Sequence, residues 1–156
     1  LLQIALLIHA CGKFISVRNS NECAYNIIMS TEIIGISHLE REIIANVVRY
    51  NIRDFDYNMV RMETELDAVT DSFGGQNEVM LLIAKLTAIL RLANSMDRGH
   101  GDKLADCKMA VKDGKLMITT DYPGDITLEA VSFEQKAAFF EEIFGIRPVL
   151  RHKKYS

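Results

Sequence analysis

The sequence predicts a mainly α protein: a helical bundle over residues 1–100, then a small α+β subdomain over residues 101–156 with the order β-β-β-α-β. Apolar residues recur at helical spacing through most of the first part, and the period shortens to two residues after Gly101. An Asp-Gly pair at 113–114 then marks a tight hairpin between two strands. A chain of 156 residues can bury a core as one domain, or as one domain with a small appendage.

The first two helices are predicted from apolar runs and from capping signals. Residues 1–11 are apolar on nearly every face, so we expect a helix that is buried on all sides and ends at Gly12. The run Asn-Ser-Asn at 19–21 offers side-chain oxygens that can cap a second helix over residues 21–30.

Three longer helices complete the predicted bundle. Ser37 and Glu40 have the spacing of a capping box, which opens a strongly periodic helix over residues 37–52. Residues 56–70 are more polar and predict an outer helix. Residues 77–98 are apolar at helical spacing over the longest stretch, so we expect the central helix there.

Short alternating segments predict the second part of the chain. Residues 107–112 and 116–120 alternate with period two, as two half-buried strands of one hairpin do. A Pro-Gly turn precedes a predicted third strand at about 125–130. A second capping box then opens a helix over residues 132–144, and residues 146–151 are predicted to form the last strand.

Charge and cysteine usage limit the classes of function. The net charge of −3 gives no global attraction to nucleic acid or to an anionic membrane, so any anion site must be a local cluster of basic residues. Three widely spaced cysteines form no disulfide framework and indicate a cytoplasmic protein. The chain opens on an apolar run without methionine, and we therefore expect a fragment of a longer protein.

Four stretches carry a resemblance to a known family. They are residues 7–15 (LIHACGKFI), 34–50, 85–98 (KLTAILRLANSMDR) and 133–145. Together they resemble the C-terminal half of the exopolyphosphatase / guanosine-pentaphosphate phosphohydrolase (Ppx/GppA) family, over essentially the whole chain. The resemblance implies an HD-like helical bundle that follows an N-terminal actin-like phosphatase module. It also implies that the polyphosphate-hydrolysing residues lie in that module, so no catalytic residue is expected here.

The positions where an HD-like domain holds its metal are degenerate in this chain. Hydrolysis of that type needs several imidazoles and carboxylates around one or two cations. His9 is present, but Ala10 stands where the family has aspartate, and Asn21 lies where histidines are frequent. Asn94 replaces the usual aspartate of the central helix, and an amide is a poor ligand. We therefore predict no metal and no cofactor in this fragment.

Basic residues suggest an anion site in the same place. Arg91, Asn94, Ser95 and Arg98 fall on one stripe of the central helix. Glu42, Asn46 and Arg49 form a polar face on the helix over 37–52, and Arg53 lies just beyond it. In an HD-like bundle these faces would meet around the vacated pocket, where arginine forks suit phosphate oxygens. The alternative is structural: Arg49 would pair with Glu42 or Glu40, and Arg91 with Asp97 or Asp54. The candidate anion-binding residues are Lys13, Arg18, Arg49, Arg53, Arg91 and Arg98.

The leading functional prediction is a non-catalytic accessory module of a Ppx/GppA-like phosphatase. Its expected partners are polyphosphate or guanosine polyphosphate, the N-terminal module of the same chain and a second copy in a homodimer. We expect neither a membrane nor a nucleic acid among them. Two alternatives stay open, a metal-dependent HD-type phosphohydrolase acting on nucleotides and a purely structural dimerisation module.

Overall fold

The computed structural model describes residues 1–57, 60 and 74–153. The predicted outer helix over 56–70 lies almost entirely outside them. In chain order the elements are α1 (Leu2–Ile8), a 3-10 helix (Cys11–Phe14), α2 (Ser20–Ser30), α3 (His38–Arg49), α4 (Gln76–Met96), β1 (Lys108–Lys112), β2 (Lys115–Thr120), α5 (Thr127–Phe144) and β3 (Arg147–His152). The mainly α class with a small β layer is confirmed, while the HD-like arrangement of the helices stays a prediction.

The chain divides into two compact units, Leu1–Leu90 and Arg91–Ser156. The boundary falls inside α4, whereas the sequence pattern puts a domain border at residue 100. That border stays a prediction, and each unit is described separately below.

The first helix is less buried than its composition predicts. Within α1, Ala5 is buried, but Leu7 is 84% exposed. Phe14 at the end of the 3-10 helix is 94% exposed. The prediction of a helix buried on all sides is therefore wrong. A uniformly apolar sequence does not say which face will be packed, and α1 packs along one side only.

The capping box of α3 is confirmed. The Ser37 hydroxyl accepts a hydrogen bond from the Glu40 backbone N–H, and the Glu40 carboxylate accepts one from the Ser37 N–H at 2.7 Å. These hydrogen bonds to Ser37 lower the pKa of the Glu40 carboxyl. Both bonds satisfy N–H groups that a helix start leaves without intrahelical partners, so this boundary is fixed locally.

Beyond its first turn, α3 is buried on every side. All positions from Glu42 to Tyr50 are buried, including the fully inaccessible Glu42 and Asn46. The polar face predicted for this helix is therefore internal. Ile43, Ile44 and Val47 are completely inaccessible and form the centre of the first unit's core, so α3 serves as its central helix.

The long helix α4 adds Val79, Ile83 and Leu90 to that core. Among the described residues it is the helix that is long and apolar enough to cross a membrane by length and composition, with a mean hydropathy of 1.6 in its most apolar window. Half of that window is buried inside the protein, which indicates a core helix.

The second unit is built on a three-stranded sheet of order β1-β2-β3. The hairpin of β1 and β2 is antiparallel and closes at Lys112 and Lys115, with Asp113 and Gly114 both at positive φ, so the predicted tight turn is confirmed. Strands β2 and β3 are parallel and are connected by α5. All five residues of β1 are exposed, so the prediction of a half-buried first strand is wrong.

The predicted third strand at 125–130 is also wrong, and the second unit has the order β-β-α-β. Asp125 accepts hydrogen bonds from the Thr127 hydroxyl at 2.6 Å and from the Thr127 backbone N–H at 3.0 Å. These bonds lower the pKa of the Asp125 carboxyl and support a helix that begins at Thr127. Ser132 of the predicted capping box consequently lies inside α5. The Pro-Gly turn at 123–124 is thus followed by a helix and not by a strand.

Candidate functional site

Two arginines and one carboxylate meet in the first unit. Arg49 is the last residue of α3, and Arg53 lies four residues further along the chain. Oxygen Oε1 of Glu22, in the first turn of α2, accepts a hydrogen bond from Arg49 Nε at 2.8 Å and one from Arg53 Nη1 at 2.5 Å. One carboxylate oxygen therefore serves two cations. The structural alternative named Glu42 or Glu40 as the partner of Arg49, but the observed partner is Glu22.

Arg49 is held between aromatic rings. Its guanidinium carbon lies 5.0 Å from the centre of the Tyr25 ring and 5.8 Å from that of Tyr50. The Arg49 side chain is 10% exposed, and its Nη1 atom is buried with no hydrogen-bond partner among the described residues. Burial also raises the pKa of the Tyr50 hydroxyl. A buried guanidinium N–H without an acceptor is costly, so an anion that reached Nη1 from the adjoining cavity would relieve that cost.

A cavity of about 460 Å³ adjoins the two arginines. Its walls are Arg49, Tyr50, Ile52, Arg53, Asp54 and Asp56. The guanidinium of Arg53 is half exposed, with 51% of its side chain accessible, and can therefore reorient toward a ligand. Asp54 and Asp56 repel further negative charge in the cavity. The cavity therefore suits one phosphate group at the arginines better than a dense polyanion that fills it.

The other predicted basic residues of the first unit do not join this cluster. Lys13, in the 3-10 helix, is exposed, and so is Arg18 in the following loop. Neither makes an ion pair with a described residue. A role in anion binding stays a prediction for both.

Two residues of the stripe predicted on the central helix, Arg91 and Ser95, are buried. Arg91 is buried, and its guanidinium carbon stacks 4.6 Å from the centre of the Phe139 ring. Ser95 is also buried and donates its hydroxyl to the Leu92 carbonyl at 2.6 Å. Arg98 lies beyond the end of α4 and is exposed. These residues belong to the second unit, so a groove that joins them to Arg49 stays a prediction.

The absence of a metal at the degenerate positions stays a prediction. His9 caps the C-terminus of α1, and its Nδ1 lies 2.7 Å from the Leu6 carbonyl oxygen. Asn21 accepts a hydrogen bond from the Ser20 hydroxyl. Throughout the described part of the chain, no three His, Cys, Asp or Glu side chains are grouped so that they could hold a metal. A single imidazole is a poor donor set for a metal ion.

Sequence reasoning did not identify Glu22 as the partner of the arginines. Glu22 lies 27 residues before Arg49, too far for a helix-spacing rule to connect them. One local signal was available, because Glu22 and Tyr25 are three residues apart on α2 and share a helix face. That face turns out to bear both the carboxylate and one of the rings that contact Arg49.

Comparison with known families gives one result. Residues 1–136 match the family model described as Ppx/GppA phosphatase, domain III. No curated protein matches the chain.

Proposed function

The chain belongs to the Ppx/GppA phosphatase family, as its domain III, and we propose that it is a non-catalytic accessory module that binds phosphate groups of the parent enzyme's substrate at Arg49 and Arg53. The substrate class is polyphosphate or a guanosine polyphosphate. The proposal includes an N-terminal actin-like catalytic module in the same chain. It also includes a cytoplasmic location, which the three free cysteines support.

The buried Nη1 of Arg49 is the single observation that carries this proposal. A stacked, buried guanidinium with an unused donor is preorganised, because its position is fixed before a ligand arrives. An arriving phosphate oxygen would satisfy that donor and form a charge-assisted hydrogen bond, which is stronger than a neutral one. Glu22 occupies the other side of the same guanidinium and lowers the net charge that a ligand meets.

We expect Arg53→Ala to weaken polyphosphate binding about tenfold, which is the loss of one charge-assisted hydrogen bond. Glu22→Gln should strengthen binding, since both arginines lose an internal counterion. Isothermal titration with a short polyphosphate of defined length, at low and at high salt, measures both effects.

Arg41→Ala is the matched control for this pair. Arg41 carries the same charge in the same unit but donates to the Thr31 carbonyl, away from the cavity. The anion site would be rejected if Arg41→Ala weakened binding as much as Arg53→Ala. It would also be rejected if Glu22→Gln left the affinity unchanged.

A second role, homodimerisation, is favoured by exposed apolar side chains near the start of the chain. Leu7 is 84% exposed, Phe14 94% and Val17 81%. Large apolar side chains that cluster at a surface are typical of interaction sites. We expect Phe14→Ser with Val17→Ser to shift a dimer to a monomer in light scattering at micromolar concentration. A monomeric parent protein, or an unchanged dimer in the variant, would contradict this role.

A further inference from the structure

The register of the sheet collects basic residues on one of its faces. Residues that face each other in neighbouring strands point to the same side. Lys108 of β1 pairs with Thr119, which pairs with Arg151 of β3. Four residues further along β1, Lys112 pairs with Lys115. Four cations from three strands therefore share one face.

A central apolar row separates these cations. Ala110 pairs with Met117, and Met117 pairs with Val149, between the row of Lys108 and the row of Lys112. At a rise of about 3.3 Å per residue the two basic rows lie about 13 Å apart, and three strands span about 10 Å. The face is thus a small apolar strip with a cationic border on each side.

This face is open to solvent, and most of its cations lack internal partners. Lys108, Lys112, Lys115 and Arg151 are exposed and make no ion pair with a residue that the structure describes. Arg147 extends the second row but is already paired with Glu134 and Glu141. On the opposite face, Ile118 and Pro148 are buried. The sheet therefore has a packed side and a separate cationic side.

From this arrangement we propose that the cationic face of the sheet binds single-stranded nucleic acid. Phosphates would lie along the two basic rows, and the bases would cover the apolar row between them. Proteins that bind single strands without sequence preference combine cations for the backbone with aromatic side chains on which the bases stack. This face supplies the cations, and its apolar row of Ala110, Met117 and Val149 would contact the bases in place of aromatic rings. The site lies in the second unit and uses neither Arg49 nor Arg53, so it is independent of the proposed phosphate site.

The apolar row distinguishes this occupant from inorganic polyphosphate. A polyphosphate chain is anionic along its whole length and gains nothing from covering Met117 and Val149. A nucleic acid strand carries a base for each phosphate and can use both parts of the face. The negative net charge of the chain does not oppose this local attraction, because exposed charges beyond about 10 Å are largely screened at 0.1 M salt. We expect weak binding, with Kd in the range of about 10⁻⁴ to 10⁻⁶ M, as for sequence-independent contacts.

Fluorescence anisotropy of a labelled twelve-residue oligouridylate with the chain tests this proposal. Four neutralised phosphates predict a slope of about −2.8 for log K against log salt, so the affinity should fall about 50-fold between 50 and 200 mM salt. Lys108→Gln with Lys112→Gln removes two contacts. The slope should then become about −1.4, and the same salt change should cost about sevenfold.

Met109→Glu with Val111→Glu is the matched control, because it changes the net charge by the same amount on the same strand but on the opposite face. This variant should keep the wild-type slope. Equal losses in the two double variants would overturn the proposal, since they would reflect net charge alone. Circular dichroism establishes that both variants retain the fold.

An abasic oligomer of the same length separates nucleic acid from other polyanions. The oligouridylate should bind at least about threefold more tightly than the abasic chain, because only the former has bases to cover the apolar row. Equal affinities would overturn the proposal. So would inorganic polyphosphate of matched phosphate number that binds as tightly as the oligouridylate with the same dependence on Lys108 and Lys112, since the face would then be a general polyanion surface.

Discussion

Replacing Gly12 with alanine is expected to lower the free energy of unfolding by about 3 kcal/mol, the upper end of the usual range for overpacked cores. A methyl group on Gly12 would lie 1.8 Å from the Ser20 carbonyl oxygen and 2.6 Å from the Ala24 backbone nitrogen. Both are backbone atoms of α2, so no side-chain rotation can relieve the overlap. The 3-10 helix and α2 would have to separate, and the core beside them would open.

Urea denaturation followed by circular dichroism measures this loss. Gly101→Ala is the control, because its methyl group would meet only the Lys103 side chain and the Gly99 carbonyl oxygen, at 3.6 Å or more. It should change the stability by no more than about 0.5 kcal/mol. Since a domain of this kind is stable by only about 5–15 kcal/mol, the two variants are easily distinguished. Equal midpoints for Gly12→Ala and the wild type would show that the two segments are not in close contact.

Replacing Glu129 with alanine is expected to destabilise the second unit by about 3 kcal/mol, the usual loss when one member of a buried ion pair is removed. Glu129 lies on α5 and is 1% exposed. Its carboxylate accepts a hydrogen bond from the Gly99 N–H at 3.1 Å and one from the Lys103 ammonium at 3.2 Å. Lys103 also donates to the Asp125 carbonyl. One buried carboxylate therefore holds the loop after α4 against the start of α5.

A double-mutant cycle separates the ion pair from simple packing. Lys103→Met should also destabilise, because it leaves the Glu129 charge buried without its cation. In the cycle of Glu129→Leu, Lys103→Met and the variant that combines them, the combination should cost less than the sum of the two single variants and show a coupling energy of at least about 1 kcal/mol. Glu129→Gln should lie between wild type and Glu129→Ala, since an amide oxygen can still accept from Gly99. Strict additivity of the two single variants would rule out the interaction.

Sequence reasoning located the elements whose boundaries depend on nearby residues. The Ser37 capping box and the Asp113-Gly114 hairpin were both placed correctly, because each is made by hydrogen bonds or backbone angles within about four residues. The helix predicted over residues 132–144 exists, but it begins at Thr127, five residues earlier than predicted. The Asp125 side chain accepts two hydrogen bonds from Thr127 at this start, a local contact that the prediction did not use.

The candidate sites required contacts that no spacing rule describes. Glu22 reaches Arg49 across 27 positions, and whether Arg49 would face solvent or two tyrosine rings depended on the packing of α2 against α3. The cationic face of the sheet likewise depends on register, since a shift of one residue would turn Lys108 and Lys112 to the opposite face of the sheet.

The sequence by itself determined the family, the mainly α class and most helix positions. Short-range hydrogen bonds and apolar periodicity depend on residues that are close together in the chain. Only the tertiary structure decided which polar groups are buried, which carboxylate neutralises the arginines and which face of the sheet carries the lysines. Those properties arise from residues that are distant in the chain and become neighbours only when the core of each unit forms.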